Sequence, residues 1–199
     1  VGKVERVMLI VVEGPSGVGK TSLAQALPGA VHVSETGASS PAPCLADFTR
    51  HHLHCLAPIE RFLLYAARTA VKARTAARTL AGGSGIVVVD RFEASLYVLG
   101  TVTLRLAPDF VTALLGGHLA HGLTPDLTVF LDCDYRTYRQ RAERRGDGLL
   151  LDAAGYEQQR KAFRRWFERQ EAPSLWVNTS DLPLAELSHK VLANIARCL

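Results

Sequence analysis

A chain of 199 residues, 48% apolar and 21% charged, has room for one α/β domain with a full core and too few residues for two ordinary domains. No apolar run approaches the roughly 20 residues of a membrane-crossing helix, and Val1–Arg6 alternates charges without the apolar centre of a signal peptide. Cys44, Cys55, Cys133 and Cys198 have neither CxxC spacing nor a small-secreted-domain context, so they read as reduced thiols in the cytoplasm. The net charge is +4, and its excess gathers in the last third, from Arg136, Arg139, Arg141, Arg144 and Arg145 to Arg160, Arg164 and Arg169. A polyphosphate ligand needs that sign of charge. With several of these arginines on solvated helix faces, no nucleic-acid or membrane partner is expected.

In chain order, Val7 to Val12 is a short apolar run rich in β-branched residues, the pattern of a buried parallel strand. It leads through Glu13 into Gly14-Pro15-Ser16-Gly17-Val18-Gly19-Lys20-Thr21-Ser22, the P-loop pattern, and then into a helix. Glycines let successive backbone N–H groups turn inward to hold phosphate oxygens, and the following helix adds free N–H groups of its own. Lys20 then reaches the β- and γ-phosphates, and the Thr21 hydroxyl is placed for Mg²⁺. A strand before and a helix after separate this from a chance glycine-rich turn.

Pro28-Gly29 cuts the first helix short, and Val31–Ser34 reads as a second strand ending at Glu35. Helices are expected over 45–56 and, from Pro58, to Leu80. Ile86–Asp90 is the third strand, Phe110–His121 a helix, Leu127–Asp132 the fourth strand and Tyr135–Arg145 a basic helix broken by Gly146-Asp147-Gly148. A helix over 153–171, a fifth strand over Ser174–Asn178 and a helix from Leu184 to Cys198 complete the chain. Alternating strands and helices predict a P-loop NTPase fold in a single domain: a parallel five-stranded sheet with helices on both faces and a small lid near 141–153. Ligands then belong at the C-terminal strand ends, where Glu13, Glu35, Asp90 and Asp132 converge. His51, His52, His54 and Cys55 match no usual zinc spacing and read as helix-face residues.

Together these motifs resemble the thymidylate kinases, within the wider nucleoside and nucleoside-monophosphate kinases. The resemblance runs through Glu13-Gly14 and the P-loop, Glu35-Thr36-Gly37-Ala38-Ser39, Leu64-Tyr65-Ala66-Ala67-Arg68, Asp90-Arg91-Phe92-x-x-Ser95, Pro125-Asp126-Leu127-Thr128-x-x-Leu131-Asp132 and the arginine run to Arg145. It implies an ATP- and Mg²⁺-dependent kinase acting on a nucleoside monophosphate, dTMP first, and a homodimer. Arg91, and more loosely Arg50, would hold the acceptor phosphate. Arg68 and Ser95 would meet the pyrimidine edge, with Leu64 beside the base. Thr21 and Asp90 would place the metal, Arg141 and Arg145 would close on the transferring group, and Asn178 would lie by the adenine.

Some positions depart from the pattern. Leu64 stands for the usual Phe, Tyr97-Val98-Leu99 for Ala-Tyr-Gln, and Gly148–Asp152 lacks the usual Asp-Arg-Ile/Phe-Glu run. These changes leave the acceptor open. In one alternative a nucleoside or another hydroxyl compound is phosphorylated with Glu35 as base; in the first reading Glu35 organises Arg91 or Arg50 instead. A nucleotide-dependent switch or binding module is the remaining alternative, and the arginine-rich segment speaks against it.

Overall fold

A computed structural model of the protein describes residues 7–34, 40–83, 85–116, 122–146 and 150–198. Five strands form one sheet: β1 (Met8–Glu13), β2 (Ala30–Val33), β3 (Ile86–Asp90), β4 (Leu127–Asp132) and β5 (Ser174–Asn178). Their order is β2-β3-β1-β4-β5, and every pairing is parallel. β1 is central and buried at all six positions, which is why it reads as a continuous apolar run rather than an alternating one.

The pleat divides β1 between two cores. Met8, Ile10 and Val12 face one cluster, which includes Leu23 of α1 (Lys20–Ala26) and Leu187, Val191 and Ile195 of α8 (Leu184–Cys198). The last three recur four residues apart on one helix face, and each contributes about 1.5–3 kcal/mol by burial. Leu9 and Val11 face the other side, against Ala73 and Ala76 of α3 (Pro58–Ala81). The expectation of an α/β parallel sheet covered on both faces is met.

Helix boundaries differ from the expected ones in instructive places. α2 spans Pro43–His52, with a separate 3₁₀ turn at Leu53–Cys55, because Pro43 opens the helix two residues earlier than the apolar pattern does. α5 is Pro108–Leu115 with Gly116 as its cap, opening two residues before the expected Phe110, and the expected stretch 117–121 lies outside the described residues. α6 is Tyr135–Arg145 as expected, closed by Gly146 in a left-handed conformation. α7 runs over Ala153–Phe167, shorter than the pattern suggested. No helix was expected between Phe92 and Thr103, yet α4 (Glu93–Val98) continues there into a π-helical turn, Leu99–Thr103. Gly100 lies in that turn where an added Cβ would come within 2.8 Å of both Phe62 and Val111, so the π-turn presses closely on α3 and α5.

Candidate functional site

The strand ends converge on the loop between β1 and α1. Gly14 leaves β1 with φ 136°, and an added Cβ would stand 2.1 Å from the Leu131 carbonyl oxygen of β4, so no side chain fits. Lys20 is buried at the loop's far end, its Nζ donating to Gly14 O at 2.9 Å and to Pro15 O. Beside it, Thr21 Oγ1 donates to Asp90 Oδ2 at 2.5 Å. The other oxygen, Asp90 Oδ1, is buried with no hydrogen-bond partner among the described residues. A buried carboxylate oxygen left unpaired next to a hydroxyl is a hard donor set, suited to a divalent cation such as Mg²⁺ or to its water.

Two cavities meet at Arg91. One, about 510 Å³, is lined by Gly17 to Ser22, Arg91, Arg141, Arg144, Arg145, Thr179 and the apolar Leu182, Leu184 and Leu187. The other, about 250 Å³, lies between the loop, α3, α4 and α7 and is lined by Ser16, Tyr65, Thr69, Arg91, Ser95, Leu96, Leu99, Thr103, Gln159 and Phe163. Arg91 lines both. Its backbone sits at φ 63°, a region that non-glycine residues seldom adopt and that costs about 1–3 kcal/mol.

The carboxylate of Glu13 organises this corner. It is buried at the end of β1 and accepts from Phe92 N at 2.9 Å, from Ser95 N at 3.2 Å and from the Ser95 hydroxyl. Burial pushes its pKa up, while the bonds from Ser95 and Phe92 and the nearby Lys72 charge pull it back. Arg91 reaches Ser95 Oγ at 3.4 Å. Glu93, half-buried beside this centre, is raised to about 7, first by desolvation and then by the charge of Glu13.

Thr179 ties three elements to the loop. Its hydroxyl donates toward Val18 O at 2.9 Å and Asp132 O at 3.0 Å, and its amide donates to Asp132 O at 2.7 Å. Arg141 then donates to Thr179 O at 2.7 Å, to Thr179 Oγ1 at 3.1 Å and to Gly17 O at 3.3 Å. In this geometry Arg141 braces the loop, while Arg144, which no motif singles out, joins Arg145 along the larger cavity.

Several residues marked from sequence lie elsewhere. Asn178 is exposed and its Oδ1 accepts from Ser180 N at 2.9 Å, a local turn outside both cavity linings. Arg50 pairs with Asp47 at 3.5 Å on the exposed face of α2, also outside both cavities. Leu64 is half-buried on α3, and Arg68 is buried with its guanidinium 5.2 Å from the Tyr65 ring centre; of these neighbours it is Tyr65 that lines the smaller cavity. Glu35, and Asp147, Gly148 and Leu149 of the expected lid, fall outside the described residues. Tyr65 and Thr69 could have been found from the helical stripe of α3. Gln159 and Phe163 carried no sequence signal beyond α7's own periodicity.

The parallel sheet of this strand order, with a glycine-rich phosphate loop between β1 and α1 and a Lys-Thr pair at its end, defines a P-loop nucleotide-binding protein. A family model described as thymidylate kinase matches residues 12–181, and the chain belongs to that family. Among curated relatives, a thymidylate kinase of Clavibacter michiganensis subsp. michiganensis is 31% identical over 169 residues, 78% of this chain and 79% of the relative. That of Deinococcus radiodurans is 31% identical over 159 residues, 74% and 75% of the two chains. That of Mycoplasma pneumoniae is 26% identical over 155 residues, 73% and 72%.

Proposed function

We propose that this enzyme transfers the γ-phosphoryl group of ATP to a nucleoside monophosphate, dTMP before any other. The observation that carries the reading is Arg91, which lines the loop-side cavity and the smaller cavity at once and so stands where donor and acceptor phosphates would meet. The loop amides from Gly17 to Ser22 and the Lys20 ammonium hold the donor phosphates, and Leu182, Leu184 and Leu187 offer an apolar bed for the adenine. Thr21 and Asp90 would hold Mg²⁺, whose chemistry here is to offset phosphate charge. Arg91 grips the acceptor phosphate with a planar fork, while Ser95, Tyr65 and Thr69 border the base. Arg144 and Arg145, with Arg141 bracing the loop, stabilise charge as the phosphoryl group moves, which is most of what such an enzyme must supply.

Closure of the segment near 141–153 would exclude water. The four free cysteines fit a reducing compartment, and we place the protein in the cytoplasm. We also propose a homodimer, joined through α2, α3 and α5.

The test is ADP release from Mg-ATP with dTMP, dUMP, dCMP and thymidine in parallel, with Lys20→Ala as the blank. Turnover with dTMP is expected to exceed that with the others, and the blank to fall by about 10²–10³-fold, the usual effect of losing one charge-stabilising group. Thymidine as the preferred acceptor would instead support the hydroxyl-acceptor reading with Glu35 as base. ATP hydrolysis indifferent to every acceptor would leave a nucleotide switch.

A further inference from the structure

Lys72 lies midway along α3 and is 1% exposed. A buried ammonium needs partners, and this one takes two backbone oxygens, that of Asp90 at 3.0 Å and that of Arg91. Those carbonyls stand on either side of the Arg91 Cα. The amides there are held as well: Arg91 N donates to Val12 O at 3.0 Å and Phe92 N to Glu13 Oε1 at 2.9 Å. Every peptide group flanking the left-handed residue is therefore bonded, the carbonyls to Lys72 and the amides to the β1 end. The Lys72 charge also offsets that of Glu13 within the same buried space.

We infer that Lys72 is a positioning residue, fixing the unusual backbone of Arg91 so that this residue lines both cavities and its guanidinium meets Ser95. The inference rests on the reading of Arg91 as the acceptor-phosphate ligand. Without the ammonium, the two carbonyls lose their shared donor and the φ 63° conformation loses half of its restraint. Arg91 would then relax toward the ordinary right-handed or extended regions, and its side chain would swing out of line. Asp90, whose carbonyl shares the same ammonium, would move with it.

A double-mutant cycle on the full chain decides this. Lys72→Met, assayed well below its unfolding temperature as checked by circular dichroism, is expected to lower kcat with dTMP by about 10²-fold, the scale of a misplaced phosphate ligand. Added to Arg91→Lys, the same change should cost less than about threefold more, because the group it positions is already altered. Losses that multiply in full, or wild-type turnover in Lys72→Met, would overturn the inference. If Lys72→Met does not fold, Lys72→Arg takes its place in the cycle, since it keeps charge and donors but displaces them. If the wild type itself is inert toward dTMP, the proposed acceptor is wrong. The cycle is then read on the dissociation constant for Mg-ATP, since Arg91 lines that cavity too; additive effects there would likewise overturn the role of Lys72.

Discussion

Glu13 is the residue on which the corner depends. One buried carboxylate accepts the amides of Phe92 and Ser95 and the Ser95 hydroxyl, so its position sets both the start of α4 and the place of Ser95 in the smaller cavity. Its neighbour Glu93 has a consequence in pH. Raised to about 7 from an ordinary 4.5, Glu93 binds its proton more tightly folded than unfolded. The stability this gives is complete below pH 4.5 and is lost as pH rises through about 7. Glu93→Gln removes that dependence. The variant should match the wild type near pH 5 and be more stable near pH 8, by about 1–2 kcal/mol after allowance for solvent screening. Thermal melts of both proteins across that range check it; a constant difference at all pH values would refute it.

Among elements, α7 is held to the sheet by polar bonds as well as by its apolar face, where Phe163 packs in a cluster with Phe130 of β4. Arg160 donates to both oxygens of the buried Asp132, at 2.7 and 2.6 Å, a bidentate pair at the end of β4. Tyr156, one turn earlier, meets Cys133 Sγ at 3.1 Å, and its ring stacks on Tyr138 of α6. Tyr138 in turn accepts Leu151 N at 2.9 Å, so α6 and the chain leading into α7 are tied to the same aromatic pair. Arg160→Met leaves Asp132 charged and unpaired in the interior, and urea unfolding should register a loss of about 3–5 kcal/mol. A loss under about 1 kcal/mol would mean that the pair contributes little beyond its own desolvation. α4 shows the same dependence on distant chemistry. It has no side-chain cap of its own, and the carboxylate that receives its first amides is Glu13, about 80 positions upstream.

For the whole molecule, the helices on one side leave apolar side chains in solvent. Phe48 on α2, Ile59 and Leu63 one turn apart on α3, and Phe110 on α5 are each more than a third exposed. Phe110 packs its ring 6.0 Å from that of Phe62, which joins α5 to α3. If a second copy covers this side, wild-type protein at micromolar concentration should sediment as a dimer, and the double variant Ile59→Glu, Leu63→Glu as a monomer with the same far-ultraviolet spectrum. A wild-type monomer would end that proposal.

What the sequence determined by itself was whatever depends on neighbours along the chain. The phosphate loop, the five apolar strands and the helices α3, α6 and α8 follow from spacing, glycine placement and period, and all lie within windows of a few to some twenty residues. The parallel sheet followed from their alternation, because a strand-helix-strand unit has one favoured hand and layer. Only the tertiary structure decided which of the candidate groups meet. Arg50 and Asn178 bond locally, to Asp47 and Ser180, outside both cavities, while Lys72, one of several basic residues on α3, meets the backbone around Arg91. Thr179 reaches the loop across 161 positions, and Ser95 reaches Glu13 across 82. The order β2-β3-β1-β4-β5 creates those meetings by carrying the chain from one edge of the sheet to the other around a central β1. Periodicity reports which face of an element is buried. It carries no information on what waits across the gap, and hydrogen bonds acting over about 3 Å are settled there.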